Sequence, residues 1–93
     1  MKVKIHKVAE KYLNRLGAND RDRIDEAIEC LEKEPPEGDI VPYVGSPGIF
    51  RLKIKGCKYR VIFTFKSDHI LITHIEPRGQ AYTKKTKTKR GKK

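Results

Sequence analysis

From Lys2 to His6 the chain alternates, with Val3 and Ile5 on one side and Lys2, Lys4 and His6 on the other. That two-residue period predicts a short half-buried β-strand. From about Lys7 the period lengthens. Val8, Ala9, Tyr12, Leu13 and Leu16 recur every three or four residues, so one helical face is apolar as far as Gly17. A second helix follows, capped by Asn19 or Asp20, whose short side-chain oxygens accept from the free amides of a first turn. Asp22, Asp25 and Glu26 suit its positive end, and Ile24, Ala27, Ile28 and Leu31 form its buried stripe. Pro35-Pro36 stops it, because the proline ring clashes with a continuing helix and restricts the residue before it. The two helices, joined at Gly17-Ala18, form a hairpin.

Pro36 to Gly48 holds Pro42, Pro47 and several glycines and shows no sustained period, which reads as a long surface loop. Three strands come after it, at Ile49 to Lys55, Lys58 to Phe65 and His69 to Ile75. They are separated by turns at Gly56-Cys57 and Lys66-Ser67-Asp68 and form an antiparallel meander. The pattern is that of an α+β domain in the order β-α-α-β-β-β, the helical hairpin packed on a small, mainly antiparallel sheet. It occupies residues 1–82. Thr83 to Lys93 carries seven basic residues and no apolar one; it cannot offset the entropy of ordering and is expected to be a flexible tail.

Size and composition narrow the class. The chain has 93 residues, 37% hydrophobic and 37% charged, enough for one modest core under a charged skin. No run of eighteen apolar residues and no signal-peptide pattern is present, so a cytoplasmic protein that does not cross a membrane is expected. Cys30 and Cys57 are far apart in sequence, and neither a disulfide framework nor a zinc site is suggested. No cofactor or metal is called for.

Net charge is +10, but its distribution is more informative. Residues 1–48 hold eight Lys and Arg against ten Asp and Glu; residues 49–93 hold fourteen against Asp68 and Glu76 alone. Such asymmetry points to a polyanionic partner. Seven of the fourteen lie in the tail, so the domain itself carries +3 and the total charge says little about it.

Geometry says more. Phe50, Leu52 and Ile54 alternate with Arg51, Lys53 and Lys55, which puts three cations on one face of one strand. On the next strand Tyr59, Val61, Phe63 and Phe65 share a face, so Arg60 points the other way and joins the basic surface. Arg78 and Tyr82 stand at its edge. Alternating lysines on a sheet are often only a solvated, aggregation-resistant surface; the scarcity of acids in the second half favours a binding role. His6, His69 and His74 have neither metal nor triad spacing and read as edge histidines. Of the three, His74 lies nearest the Arg78 end of the last strand.

At these residues the chain resembles the RelE/ParE toxins of type II toxin–antitoxin systems. Gly48-Ile49-Phe50-Arg51-Leu52-Lys53-Ile54 and Lys58-Tyr59-Arg60-Val61-Ile62-Phe63 are similar to two family strands. Ile75-Glu76-Pro77-Arg78-Gly79-Gln80-Ala81-Tyr82 is similar to the last strand and its Arg-x-x-x-Tyr close. For the RelE-like branch, the resemblance implies a ribosome-dependent endoribonuclease that cleaves mRNA through the RNA's own 2′-hydroxyl without a metal. It also implies a cognate antitoxin as partner, beside ribosome and mRNA. Carried over by position, Arg51, Lys53, Arg60, Arg78 and Tyr82 are the catalytic candidates, with Lys55, Lys58, Lys84 and Lys85 as further RNA contacts. Val41 stands where some relatives have a glutamate base and Pro77 where many have His, so catalysis would rest on electrostatics. The competing readings are the superfamily's other branch, which poisons DNA gyrase, and a non-catalytic RNA- or ribosome-binding module using the tail as an arm.

Overall fold

The computed structural model describes residues 1–77. Its elements are β1 (Lys2–Ile5), α1 (Lys7–Asn14), α2 (Ala18–Leu31), β2 (Asp39–Pro42), β3 (Ile49–Lys53), β4 (Tyr59–Phe65) and β5 (His69–Pro77). The strands form one sheet in the order β1-β5-β4-β3-β2, parallel only between β1 and β5. This is the α+β arrangement expected from the sequence, with one strand more.

That strand, β2, lies where a loop was expected. Asp39 pairs with Lys53 and Pro42 with Phe50, antiparallel, at the sheet's edge. An edge strand tolerates Pro42, whose missing N–H would break a central ladder. Gly38 leads into β2 with φ 142°, and a Cβ there would lie 2.7 Å from Leu52 Cδ1, so both the backbone angle and the space demand glycine.

The helix ends also differ from expectation. α1 stops at Asn14, and Gly17 rather than Asn19 or Asp20 is the N-cap of α2. Gly17 adopts an extended conformation and its carbonyl accepts from Arg21 N at 3.0 Å; Asn19 and Asp20 fall inside the first turn, where Asp20 still favours the helix dipole. His6 leaves β1 to become the N-cap of α1, its Nδ1 accepting from Val8 N at 3.1 Å.

Both helices cover one face of the sheet. Ala9 and Leu13 of α1 and Ile24, Ile28 and Leu31 of α2 are buried with Leu52, Val61, Phe63, Ile70, Ile72 and Ile75. Phe63 anchors this core, fully buried and flanked by Phe50 and Phe65 at ring separations of 5.9 and 5.5 Å. The strand alternation that sends these residues inward sends Arg51, Lys53 and Arg60 to the opposite, open face.

β5 carries the device that completes that face. Phe63 pairs with Ile72 but Ile62 with His74, so Thr73 is an extra residue in a β-bulge. Were the strand regular through Thr73, the alternation from Ile72 would turn His74 and Glu76 into the core and Ile75 outward. With the bulge Ile75 is buried and His74 and Glu76 face the cations.

Candidate nucleic-acid interface

Lys53 on β3 and Arg60 on β4 are register partners, which puts their Cβ atoms about 5 Å apart on the same face. Lys55, just past β3, joins them around an open depression of ≈ 630 Å³ that Asp39 and Gly56 also line. Gly56 is at φ 76°, a left-handed turn residue that lets the chain reverse tightly behind Lys55. Among the described residues no ion pair joins Arg51, Lys53 or Arg60 to a carboxylate. The sheet therefore presents adjacent unneutralised cations at a concave spot.

The face is less free of acids than the sequence implies. Asp39 is the register partner of Lys53, and Glu76 that of Arg60. These counter-charges come from the unforeseen edge strand and the bulged end of β5. Glu76 instead accepts a hydrogen bond from the Tyr43 hydroxyl, Oη to Oε2 at 3.0 Å. Tyr43 follows β2 at one edge of the sheet and Glu76 lies on β5, so the phenol crosses the open side of β3 and β4 to reach it.

That crossing side chain shapes a second depression of ≈ 320 Å³, between Tyr43, Ile49, Ile62, His74 and Glu76. Ile62 points away from the helices, yet only 3% of it is exposed. The Tyr43 hydroxyl is held above its ordinary pKa, first by its bond to Glu76, then by burial and by the Glu76 charge, with Arg51 opposing. Arg51 is thus close to this pair. Its Nε is buried and has no hydrogen-bond partner among the described residues.

The remaining candidates separate. Lys58 lies 5.7 Å from the Tyr59 ring, which packs edge-on against Tyr12 of α1, so its ammonium sits toward the helical side. Arg78, Tyr82, Lys84 and Lys85, and the tail boundary at Thr83, lie outside the described residues. His69 contacts the Asp68 carboxylate at 2.7 Å, and with His6 capping α1 both have local structural partners. His74 is exposed on the open face, its Nδ1 3.1 Å from Thr73 Oγ1.

Sequence reasoning missed Tyr43, Glu76 and Asp39 as members of this face. For Glu76 a signal was present: the apolar spacing Ile70, Ile72, Ile75 breaks from two to three, which marks the bulge. For Tyr43 there was none, since its partner is 33 residues away.

A family model described as the ParE toxin of type II toxin–antitoxin system, parDE, matches residues 3–82. The chain belongs to this toxin family. It is a type II toxin of the RelE/ParE superfamily, and solved structures of both RelE and ParE systems share its fold. The RelE of the archaeal RelE–RelB complex from Pyrococcus horikoshii OT3 is 32% identical, with a TM-score of 0.63 over 85% of this chain and 96% of that one. The RelB–RelE complex from Methanococcus jannaschii gives 22% identity and a TM-score of 0.65 over 86% and 95%. A chromosomal ParDE system from P. aeruginosa gives 20% and 0.63 over 84% and 96%. No curated protein sequence matches the toxin significantly. Among its described residues no helix is long and apolar enough to cross a membrane.

Proposed function

We propose that this toxin is a RelE-like endoribonuclease that cleaves mRNA on the ribosome, using the open face of its sheet. The observation that carries the reading is the Lys53–Arg60 register pair, with Lys55 lining the same depression. Transesterification needs the 2′-hydroxyl aligned with the adjacent phosphate, and stabilisation of the charge that grows on the phosphoryl oxygens. Arg60 offers a planar fork to two of those oxygens, and Lys53 a point charge beside it. Arg51, two residues before Lys53 on the same face of β3, adds a third positive charge to the surface that a phosphate meets. Arg78 and Tyr82 complete the proposed catalytic set, with Lys84 and Lys85 as outer phosphate contacts. The 32% identity to an archaeal RelE, itself solved with RelB, supports the RelE-like branch and a cognate antitoxin that covers the cationic face.

The test is a translation extract with a defined message, read by primer extension. Wild-type toxin is expected to produce cuts within ribosome-bound codons, and Arg60→Ala to lose at least a hundredfold in rate, as expected when a group that stabilises transition-state charge is removed. Equal cutting by the two proteins refutes the assignment.

A second reading has its own support, the family model named for ParE. Under it the toxin inhibits DNA gyrase. Loss of supercoiling at stoichiometric toxin, with messages left intact, would establish that reading in place of the first.

A further inference from the structure

The second depression lies beside the cationic one and differs from it in chemistry. Ile49 lies over the buried Ile62 as its apolar floor, the Tyr43 and His74 rings also line it, and Glu76 supplies its one carboxylate. Its ≈ 320 Å³ falls within the about 300–1,000 Å³ of small-molecule sites. We propose that it is a nucleobase site that takes guanine from single-stranded RNA, and that Glu76 reads the base. The inference rests on the RNA reading given above.

The geometry fits one nucleotide. Glu76 and Arg60 are register partners, as are Arg60 and Lys53, so the base-reading carboxylate stands one strand, about 5 Å, from Arg60 and two strands, about 10 Å, from Lys53. A chain whose phosphate meets Arg60 and Lys53 can therefore place its own base against Ile49 and the Tyr43 and His74 rings. Flat apolar and aromatic surfaces receive the face of any unstacked base, which gives affinity without choice.

Choice comes from the carboxylate. An ionised Glu accepts hydrogen bonds and donates none. Tyr43 bonds Oε2 and fixes the group in place, leaving Oε1 without a hydrogen-bond partner among the described residues in a side chain that lines the depression. Guanine presents two adjacent N–H donors on its Watson–Crick edge and satisfies both. Uracil presents a single N–H between two carbonyl oxygens, which a carboxylate repels. Held by a phenol and free of ion pairs with the neighbouring cations among the described residues, Glu76 keeps its acceptors available for a base.

Fluorescence anisotropy with labelled 2′-O-methyl trinucleotides tests this, because these lack the attacking hydroxyl and stay intact. The wild-type toxin is expected to bind UGU roughly tenfold more tightly than UUU, the discrimination of one bidentate contact. Glu76→Gln, which keeps the size of the side chain and an acceptor for Tyr43, is expected to lose most of that preference while binding UUU at least as tightly. The site is refuted if the wild type binds UGU, UAU, UCU and UUU within twofold of one another, if adenine or cytosine is preferred, or if Glu76→Gln retains the guanine preference. The ribosomal assay separates this from the parent reading. Cleavage without trinucleotide preference removes the base site alone, whereas preference without cleavage removes the endoribonuclease and leaves the site.

Discussion

Lys53 and Arg60 face each other across β3 and β4 with no carboxylate bound to either among the described residues. Like charges directly opposite on a sheet oppose folding, by up to about 1 kcal/mol. A face kept only for solubility would alternate signs, as Asp39 beside Lys53 begins to do. The cationic pair is a cost that binding an anion offsets.

Replacing one member should therefore stabilise the fold while removing function. Arg60→Thr introduces a good strand former and relieves the repulsion. Its melting temperature is expected to rise by about 2–4 °C, taking roughly 0.5 kcal/mol in a domain of this size. RNA cleavage should be lost in the same variant. An unchanged melting temperature would mean that solvent screens the pair completely, and a lower one that the attraction of Arg60 to Glu76 across β4 and β5 outweighs its repulsion from Lys53.

Much of this face is legible in the order of residues alone. The alternation Arg51, Lys53, Lys55 against Phe50, Leu52, Ile54 assigns the outward cations because one side of β3 must meet the helices, and Leu52 is 1% exposed. The helices and the last three strands follow from similar periods. β2 does not, being four residues long with a proline, too short for a period to emerge. Nor does the Tyr43–Glu76 contact, which depends on how far β2 and β5 lie apart in the folded sheet and leaves no local mark. The sequence also overstates the isolation of the cations, since charge counting by halves cannot show that Asp39 and Glu76 come to rest beside them.

The bulge at Thr73 allows a direct test of how the site is built. Deleting Thr73 removes the extra residue and leaves a regular strand in which Ile70, Ile72 and Ile75 still alternate inward against His74 and Glu76. What is lost is the hydrogen bond that the Thr73 hydroxyl donates to the Ile62 carbonyl at 3.3 Å, so the variant is expected to be less stable by about 1 kcal/mol and to keep its open face. Urea unfolding should show a cooperative transition near the native one. A variant that is largely unfolded would mean that the local twist of the bulge, beyond the facing of the side chains, holds β5 against β4.

Tyr43 gives a prediction with a pH signature. Its hydroxyl is raised above the usual tyrosine range, mainly by donating to Glu76. A raised folded pKa means that the contact contributes fully below the unfolded tyrosine value near ~10, and that the contribution fades as pH rises through the folded value. Tyr43→Phe is expected to be less stable by about 1 kcal/mol at pH 8. The gap from wild type should narrow as pH rises above the unfolded tyrosine value and the phenol ionises, since a phenolate beside Glu76 no longer donates. Denaturant unfolding of both proteins along an alkaline pH series measures it; a gap independent of pH would assign the loss to packing alone.

Asp39 offers the opposite manipulation of the cationic depression. It is exposed, opposite Lys53 and beside Arg60 in the wall of the same hollow, so its charge subtracts from the field that an approaching phosphate meets. Asp39→Asn keeps the size of the side chain and the strand pairing, and folding should change by less than about 0.5 kcal/mol, as for most surface substitutions. Affinity for a short uncleavable RNA is expected to rise about threefold at roughly 50 mM salt. Exposed charges are screened beyond about 3 Å at 1 M salt, so the gain should vanish there. If Asp39→Asn binds no better at low salt, the phosphate does not enter between Lys53 and Arg60, and the cationic contact must be sought elsewhere on the face.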